Sequence, residues 1–497
     1  GYQGAVARAK LKQCDEAGAV VKEISAAGKD PALVHRSTFH LAECLRYTDK
    51  LAESAELYKL AATTQKGEFS EYAHYNYGMV LFLLDKYSDS IAALTDFRKL
   101  YPKTALVPEA SLYIGRAHIE LKDYAKAEAV LRPLATGQNS PLLPAAVLWY
   151  ARMHVRANNP TQAANILKDV ESRFAKDPLL PAMINELAMA YMDLRRHDQA
   201  AAAFARAQSV ATGDEAMDFM RLHAFCLYRA GQYAQSLEVC EAFGRKYPKS
   251  PRLSDALFLK AENLLLLKKQ PEALAAYDVF IKADPKHKDA LLAHLRRAQP
   301  YANLKQWASA AENIEVVLAG DHKAAIFDQA WYLAGDYAFQ AGDWSKAIKA
   351  FETFLAEKPE QPNVDAAMYT LALAYEHNKQ SDKALEMLKD LIVDHYGQSI
   401  GEKQDAAKGL TKVGTPKDGK SKVSRRKNDA APSVGYLQVA RVAMGRILYE
   451  AGRLDEAQAV LLEARNSYAA LRQERDGDAE YYLAWIATKQ DRQADAA

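Results

Sequence analysis

The chain has 497 residues, 49% of them hydrophobic and 26% charged, with a formal net charge of +2, 18 Pro and 23 Gly. No stretch reaches about 18 uninterrupted apolar residues, so no membrane-spanning helix is encoded. The near-neutral balance leaves the body of the chain without the basic footprint of a nucleic-acid binder.

Small residues recur along the chain at steps of 36 or 37: Ala17, Ser54, Ser90, Ala127, Ala163, Ala200, Ser236, Ala273, Ala310, Ala347 and Ala384, then Ala457 after 73. A fixed period of this size marks a solenoid, whose units bury their apolar faces against their neighbours. Twelve residues before each stands another small residue, as at Ala42, Gly78, Gly115, Ala188 and Gly445. Four residues after stands a larger apolar one, as at Tyr58, Leu94, Leu131, Phe351 and Leu461, and seven after a third, as at Phe97, Val170 and Phe354. Spacings of three and four share one helix face. The two small residues therefore belong where a pair of antiparallel helices, A and B, cross most closely.

In chain order the pattern starts A helices near residues 2, 35, 71, 108, 144, 181, 217, 254, 291, 328, 365 and 438, with a further helix near 480. Short polar turns such as Asp85-Lys86-Tyr87 and Gly342-Asp343-Trp344 join A to B, and Tyr101-Pro102, Tyr247-Pro248 or Lys358-Pro359 close a unit. Lys66, Asn139 and Ala175 stand where such a proline could fall. Both ends look cut, the first repeat being truncated at Gly1 and the last segment ending inside a repeat.

These slots resemble the tetratricopeptide repeat. The resemblance implies an all-α, right-handed superhelical solenoid of about 12 antiparallel helix pairs. The longer period and the endings Leu100-Tyr-Pro-Lys-Thr and Lys246-Tyr-Pro-Lys-Ser are similar to a subtype of bacterial cell-envelope proteins, such as the Tol–Pal coordinator and outer-membrane assembly lipoproteins. What that implies is docking of partner proteins in a periplasmic or outer-membrane setting, with a cytoplasmic location as the alternative. The expected organisation is an array over 1–397, an insert over 398–433 and a C-terminal repeat with one further helix over 434–497. Residues 401–430 hold nine Lys or Arg against four acids, among them Lys420, Lys422, Arg425, Arg426 and Lys427. Such a composition favours a solvated linker; the functional alternative is a basic arm for anionic lipid, nucleic acid or an acidic partner.

In a superhelix of this kind the A helices line the concave groove. One row there holds Phe39, Tyr75, Leu112, Leu148, Arg221, Phe258, Tyr332 and Tyr369, and another Arg46, Phe82, Ile119, Val155, Tyr228, Leu265, Phe339 and Tyr449. Between them run Met79, Arg116, Arg152, Met189, Phe225, Glu262 and Asp336. The aromatic members suit a partner segment, whereas the aliphatic ones suit packing between neighbouring helices. Arg116, Arg152 and Arg156 form a basic patch.

No GxxxxGK[ST], HExxH or GxSxG motif occurs, and no Cys/His cluster has metal-ligand spacing, so neither catalysis nor a metal or other cofactor is expected, nor a small-molecule substrate. Cys14, Cys44, Cys226 and Cys240 read as small buried hydrophobes, with a Cys226–Cys240 bridge left open because the two lie on the helices of one repeat. The expected function is a protein-interaction scaffold. The alternatives are a substrate-recruiting arm of an enzyme whose catalytic part lies outside this chain, and a rod that self-associates.

Overall fold

The computed structural model describes residues 2–10, 12–27, 30–63, 67–138, 140–321, 323–357, 361–395, 435–470 and 477–490. The basic stretch 398–433, with Lys420, Lys422, Arg425, Arg426 and Lys427, lies outside them, as do Lys66, Asn139 and the Lys358-Pro359 closure.

The described residues form consecutive antiparallel helix pairs with no strand among them. They divide into two compact units, Gly1–Leu259 and Lys260–Ala497. A helices begin at Tyr2, Pro31, Ser70, Val107, Leu143, Leu180, Gly213, Leu253, Ala290, Ala330, Val364 and Gly435, and a further helix at Gly477. These starts follow the sequence periodicity to within four residues. None of the described helices is long and apolar enough to cross a membrane.

The close crossing of each pair is built from the small residues. A Cβ placed on Gly78 would stand 2.5 Å from Cγ of Leu94, and one on Gly445 2.4 Å from Cγ of Leu461, so each glycine makes room for the large residue four positions beyond its small partner. Where the B-helix partner is serine it also bonds across the crossing. Ser54 donates to the carbonyl of Ala42 at 2.7 Å, Ser90 to that of Gly78 at 2.7 Å and Ser236 to that of Ala224 at 2.8 Å. Each hydroxyl is fully buried and satisfied, as a polar group inside a helix interface must be. Tyr58, Leu94, Leu131, Phe204, Phe351 and Leu461 sit beside these crossings with no solvent exposure.

The A-to-B turns share one conformation. Asp49, Asp85, Lys122, Asn158, Arg195, Gly231, Lys268, Lys305, Gly342, Lys379 and Gly452 all have φ between 56° and 77°. Each terminates its A helix, as where Asp85 N–H donates to the carbonyl of Phe82 and Lys86 N–H to that of Leu81, at 3.1 and 3.0 Å. Only Gly231, Gly342 and Gly452 take this left-handed conformation without the crowding of a Cβ. The next helix is capped in several units by the residue that follows: Asp123 accepts from the N–H of Lys126 at 3.3 Å and Asp343 from that of Lys346 at 3.1 Å.

In the second unit the helix Gly435–Glu450 packs on Val364–His377 and Ser381–Lys389, in the place a next A helix would take. Arg446 seals that contact with a bidentate pair to Glu376, at 2.5 and 2.7 Å, between residues 70 apart in sequence. In the first unit a disulfide joins Cys14 to Cys44, with Cα atoms 5.6 Å apart, linking the B helix Cys14–Ala27 to the A helix Pro31–Tyr47. The bond thus falls on the pair that sequence spacing did not single out. Cys226 and Cys240, whose bridge the sequence left open, are buried thiols, and burial pushes the Cys226 thiol up to about 12.

The turn geometry carries a stability prediction. Lys305→Gly is expected to stabilise the chain and Gly231→Ala to destabilise it, each by about 1 kcal/mol. Urea-unfolding midpoints followed by circular dichroism check both; equal midpoints for the lysine and glycine forms would contradict the turn account.

Candidate functional site

Successive A helices lie directly against one another, 70–83 on 107–120, then 143–156, then 180–193 in the first unit, and 330–340 on 364–377 in the second. The seams between them absorb much of the two rows expected to line a groove. Phe39 is buried, stacked on Phe69 at 4.7 Å and edge-on to Tyr58 at 5.8 Å. Tyr75 is buried against Phe97 and Tyr113, and Phe82 against Tyr87 and Tyr113. Leu112, Leu148 and Ile119 are buried as well, in line with the packing role expected of the aliphatic members.

Of the intervening row Met79 and Glu262 are buried, Arg116, Arg152, Phe225 and Asp336 are half-buried and Met189 is exposed, and in the first unit the row is organised around guanidinium groups. Arg116 lies over three rings, those of Phe82, Tyr113 and Trp149, with its Cζ 4.6, 4.9 and 4.4 Å from their centroids. These rings come from three successive A helices. Ring faces attract a cation, and the contact strengthens as water is excluded. Among the described residues no carboxylate lies within 4 Å of Arg116, its Nε is buried with no hydrogen-bond partner, and burial pulls its pKa down. Arg152 shares the Trp149 ring at 4.9 Å, but its Nε donates to Glu186 at 2.6 Å, and Arg156 donates to Glu120 at 2.7 Å. The expected patch Arg116, Arg152 and Arg156 is thus brought together, with two of its charges paired and one without a carboxylate.

Trp149 and Tyr113, the rings that shape this site, stand two residues before the small A-helix residue, outside the rows picked from sequence. Their signal was there: aromatic residues recur at that slot in adjacent pairs.

Elsewhere in the first unit Arg221 is half-buried, 3.9 Å from Asp218 and 4.0 Å from Asp255. Tyr228 is half-buried beside Tyr233, and Phe258 is half-buried. In the second unit Tyr332 rests between Phe351 and Phe354, burial pushing its phenol up to about 12. Phe339 meets Trp344 edge-on at 5.1 Å, and Tyr369 lies 5.8 Å from Tyr436. Asp336, at the slot that Arg116 fills in the first unit, is half-buried, and no cation lies within 4 Å of it among the described residues. Desolvation raises its pKa, against the opposing effect of a hydrogen bond from Gln340.

This arrangement offers charge and aromatic faces for recognition. Among the described residues no three His, Cys, Asp or Glu side chains converge as a metal site.

The tetratricopeptide repeat family profile matches residues 75–141, 185–251, 227–288 and 332–394. Tetratricopeptide repeats are therefore present in both units, and with the helix pairing they make the fold a tetratricopeptide-repeat solenoid. Among solved structures, MamA 41-end from Desulfovibrio magneticus RS-1 is 20% identical, with 36% of this chain and 95% of that one covered and a TM-score of 0.31. The apo form of RapI is 13% identical, with 65% and 97% covered and a TM-score of 0.41. Naa15/Naa10 bound to HypK-THB gives 14% identity, 100% and 66% covered and a TM-score of 0.31. No curated protein matches the sequence.

The raised pKa of Asp336 means that the folded state holds its proton more tightly than the unfolded chain, so ionisation destabilises the fold near neutral pH and protonation relieves this as pH falls. Asp336→Asn is expected to raise the unfolding midpoint at pH 7, with the gain shrinking in acid. Melting curves across that pH range would contradict the assignment if the gain grew on acidification.

Proposed function

We propose that this tetratricopeptide-repeat chain is a non-catalytic scaffold that binds a partner protein segment on the A-helix face, with Arg116 as its principal contact. The observation that carries the reading is the caged guanidinium of Arg116: half-buried, held by three rings, its Nε unbonded and no carboxylate within 4 Å of it among the described residues. Burying a charge with no counter-ion in contact is costly, and a half-buried charge of this kind marks a candidate ligand site. An acidic side chain flanked by apolar residues would meet Arg116 and the half-buried Trp149 together. On the second unit, taken by itself, the half-buried Tyr332, Phe339 and Tyr369 offer a separate aromatic surface of the kind enriched at interfaces.

The envelope reading rests on a different observation. Disulfides persist in oxidising compartments and are rare in the cytosol, and the Cys14–Cys44 bond fits the periplasmic location suggested by the long repeat period.

Two measurements test these readings. Partner capture by Arg116→Gln, compared with the wild-type chain at matched helicity, is expected to fall at least tenfold and to lose most of its salt sensitivity; unchanged capture removes Arg116 from the site. Thiol titration of the denatured, unreduced protein from its native host should find two reactive thiols, and four after reduction. Four before reduction would set aside the oxidising compartment.

A further inference from the structure

In each pair two A-helix slots meet the B helix of the pair before: the residue preceding the small A-helix residue, and the one three after it. In three pairs a polar side chain at one of these slots reaches a carboxylate on that B helix. Tyr150 donates to Glu128 at 3.3 Å, Arg297 pairs with Asp278 at 2.5 Å, and Tyr375 donates to Glu352 at 2.5 Å. From the second pair onward the first slot holds a Leu, Ile, Met, Tyr, His, Lys or Arg and the second a Leu, Tyr or His, with one exception. In the pair Ala330–Gln340 and Trp344–Glu357 both are alanine, Ala334 and Ala338.

The consequence is a half-open cavity of about 330 Å³ in the second unit, lined by Ala311, Ala334, Ala338 and Ala350 together with Trp331, Lys346 and Lys349. It falls at the small end of the range of ligand pockets, ~300–1,000 Å³. Glu315 lines it from the preceding B helix, at the slot held by Asp278 and Glu352 in the flanking pairs. The A-helix side chain that answers those two carboxylates is missing here, and Glu315 is instead bridged by Lys346 at 2.8 Å.

We infer that this cavity is a binding site for a small phenolic molecule, an aromatic ring with an alkyl arm, seated where the next pair carries the side chains of Leu371 and Tyr375. The ring and arm fill the space above the alanines beside Trp331. The hydroxyl donates to Glu315 as Tyr375 donates to Glu352. The site lies between the B helices Trp307–Ala319 and Trp344–Glu357 and the A helix Ala330–Gln340, and stands or falls independently of the Arg116 site in the first unit.

The probe is 4-propylphenol, added to the full chain and followed by ligand-observed NMR and by the unfolding midpoint, with 4-propylanisole as the control that keeps the shape and loses the donor. The wild-type chain is expected to bind the phenol saturably and to melt at higher temperature with it. The double variant Ala334→Leu, Ala338→Tyr gives this pair the residues of the next one, Leu371 and Tyr375, and is expected to melt no lower than wild type and to bind nothing. Glu315→Gln is expected to weaken the phenol about tenfold and leave the anisole unaffected. Should the double variant fail to fold, Ala334→Leu alone is expected to cut binding at least tenfold. Failure of the wild-type chain to bind, equal binding by a filled and folded variant, or equal affinity for phenol and anisole would each overturn the assignment.

Discussion

Everything in this chain depends on two helices being able to touch at a point where neither has more than a methyl or hydroxymethyl group. At that point Gly78 lies against Leu94 and Gly445 against Leu461, closely enough that an added Cβ would fall inside van der Waals contact. The serines at the opposing position bond to the facing carbonyl and leave no buried hydroxyl unsatisfied. Fixing this distance fixes the pair, and the pair in turn fixes which side chains emerge on the A layer and which lie between layers. Because each pair contacts mainly its neighbours, the same solution can be repeated without any single core growing beyond the reach of its own apolar residues.

The departures from repetition are where chemistry gathers. At the slot following the small A-helix residue the chain places Arg116 in one unit and Asp336 in the other, both half-buried, with no opposite charge within 4 Å among the described residues. A structural role would have favoured a methionine, as at Met79, or a paired charge, as at Arg152 with Glu186. The fold tolerates these two groups because a solenoid spreads its stability over many similar interfaces, so a local deficit does not unfold the whole.

Period, pairing and turn position could all be read from the sequence because each is local: small residues twelve apart, a proline, a left-handed residue after each A helix. Exposure was less legible. Phe39, Tyr75 and Phe82 sit on the A helices where a groove would be, yet a shift of one residue along a helix turns a side chain by about 100°, and that is enough to move it from the open face into the seam with the next helix. The ring that matters most, Trp149, lies one such step away. The Cys14–Cys44 bond was hidden for another reason, since it links successive pairs, and no spacing rule says which residues meet across such an interface. The two alanines at 334 and 338 were in plain view, but their meaning needs the knowledge that both slots face the same preceding helix.

The helix 435–450 packs on 364–377 as one A helix packs on the next, although the chain between the two helices is a full period longer than usual. The recognition between repeats is therefore written on their faces and not in the length of what connects them. A surface that accepts its neighbour on those terms makes no chemical distinction between a repeat of its own chain and the same repeat offered by another copy. Exchange of the last pair between two molecules would recreate every bond at that joint, the Arg446–Glu376 pair included, and which of the two occurs becomes a matter of concentration.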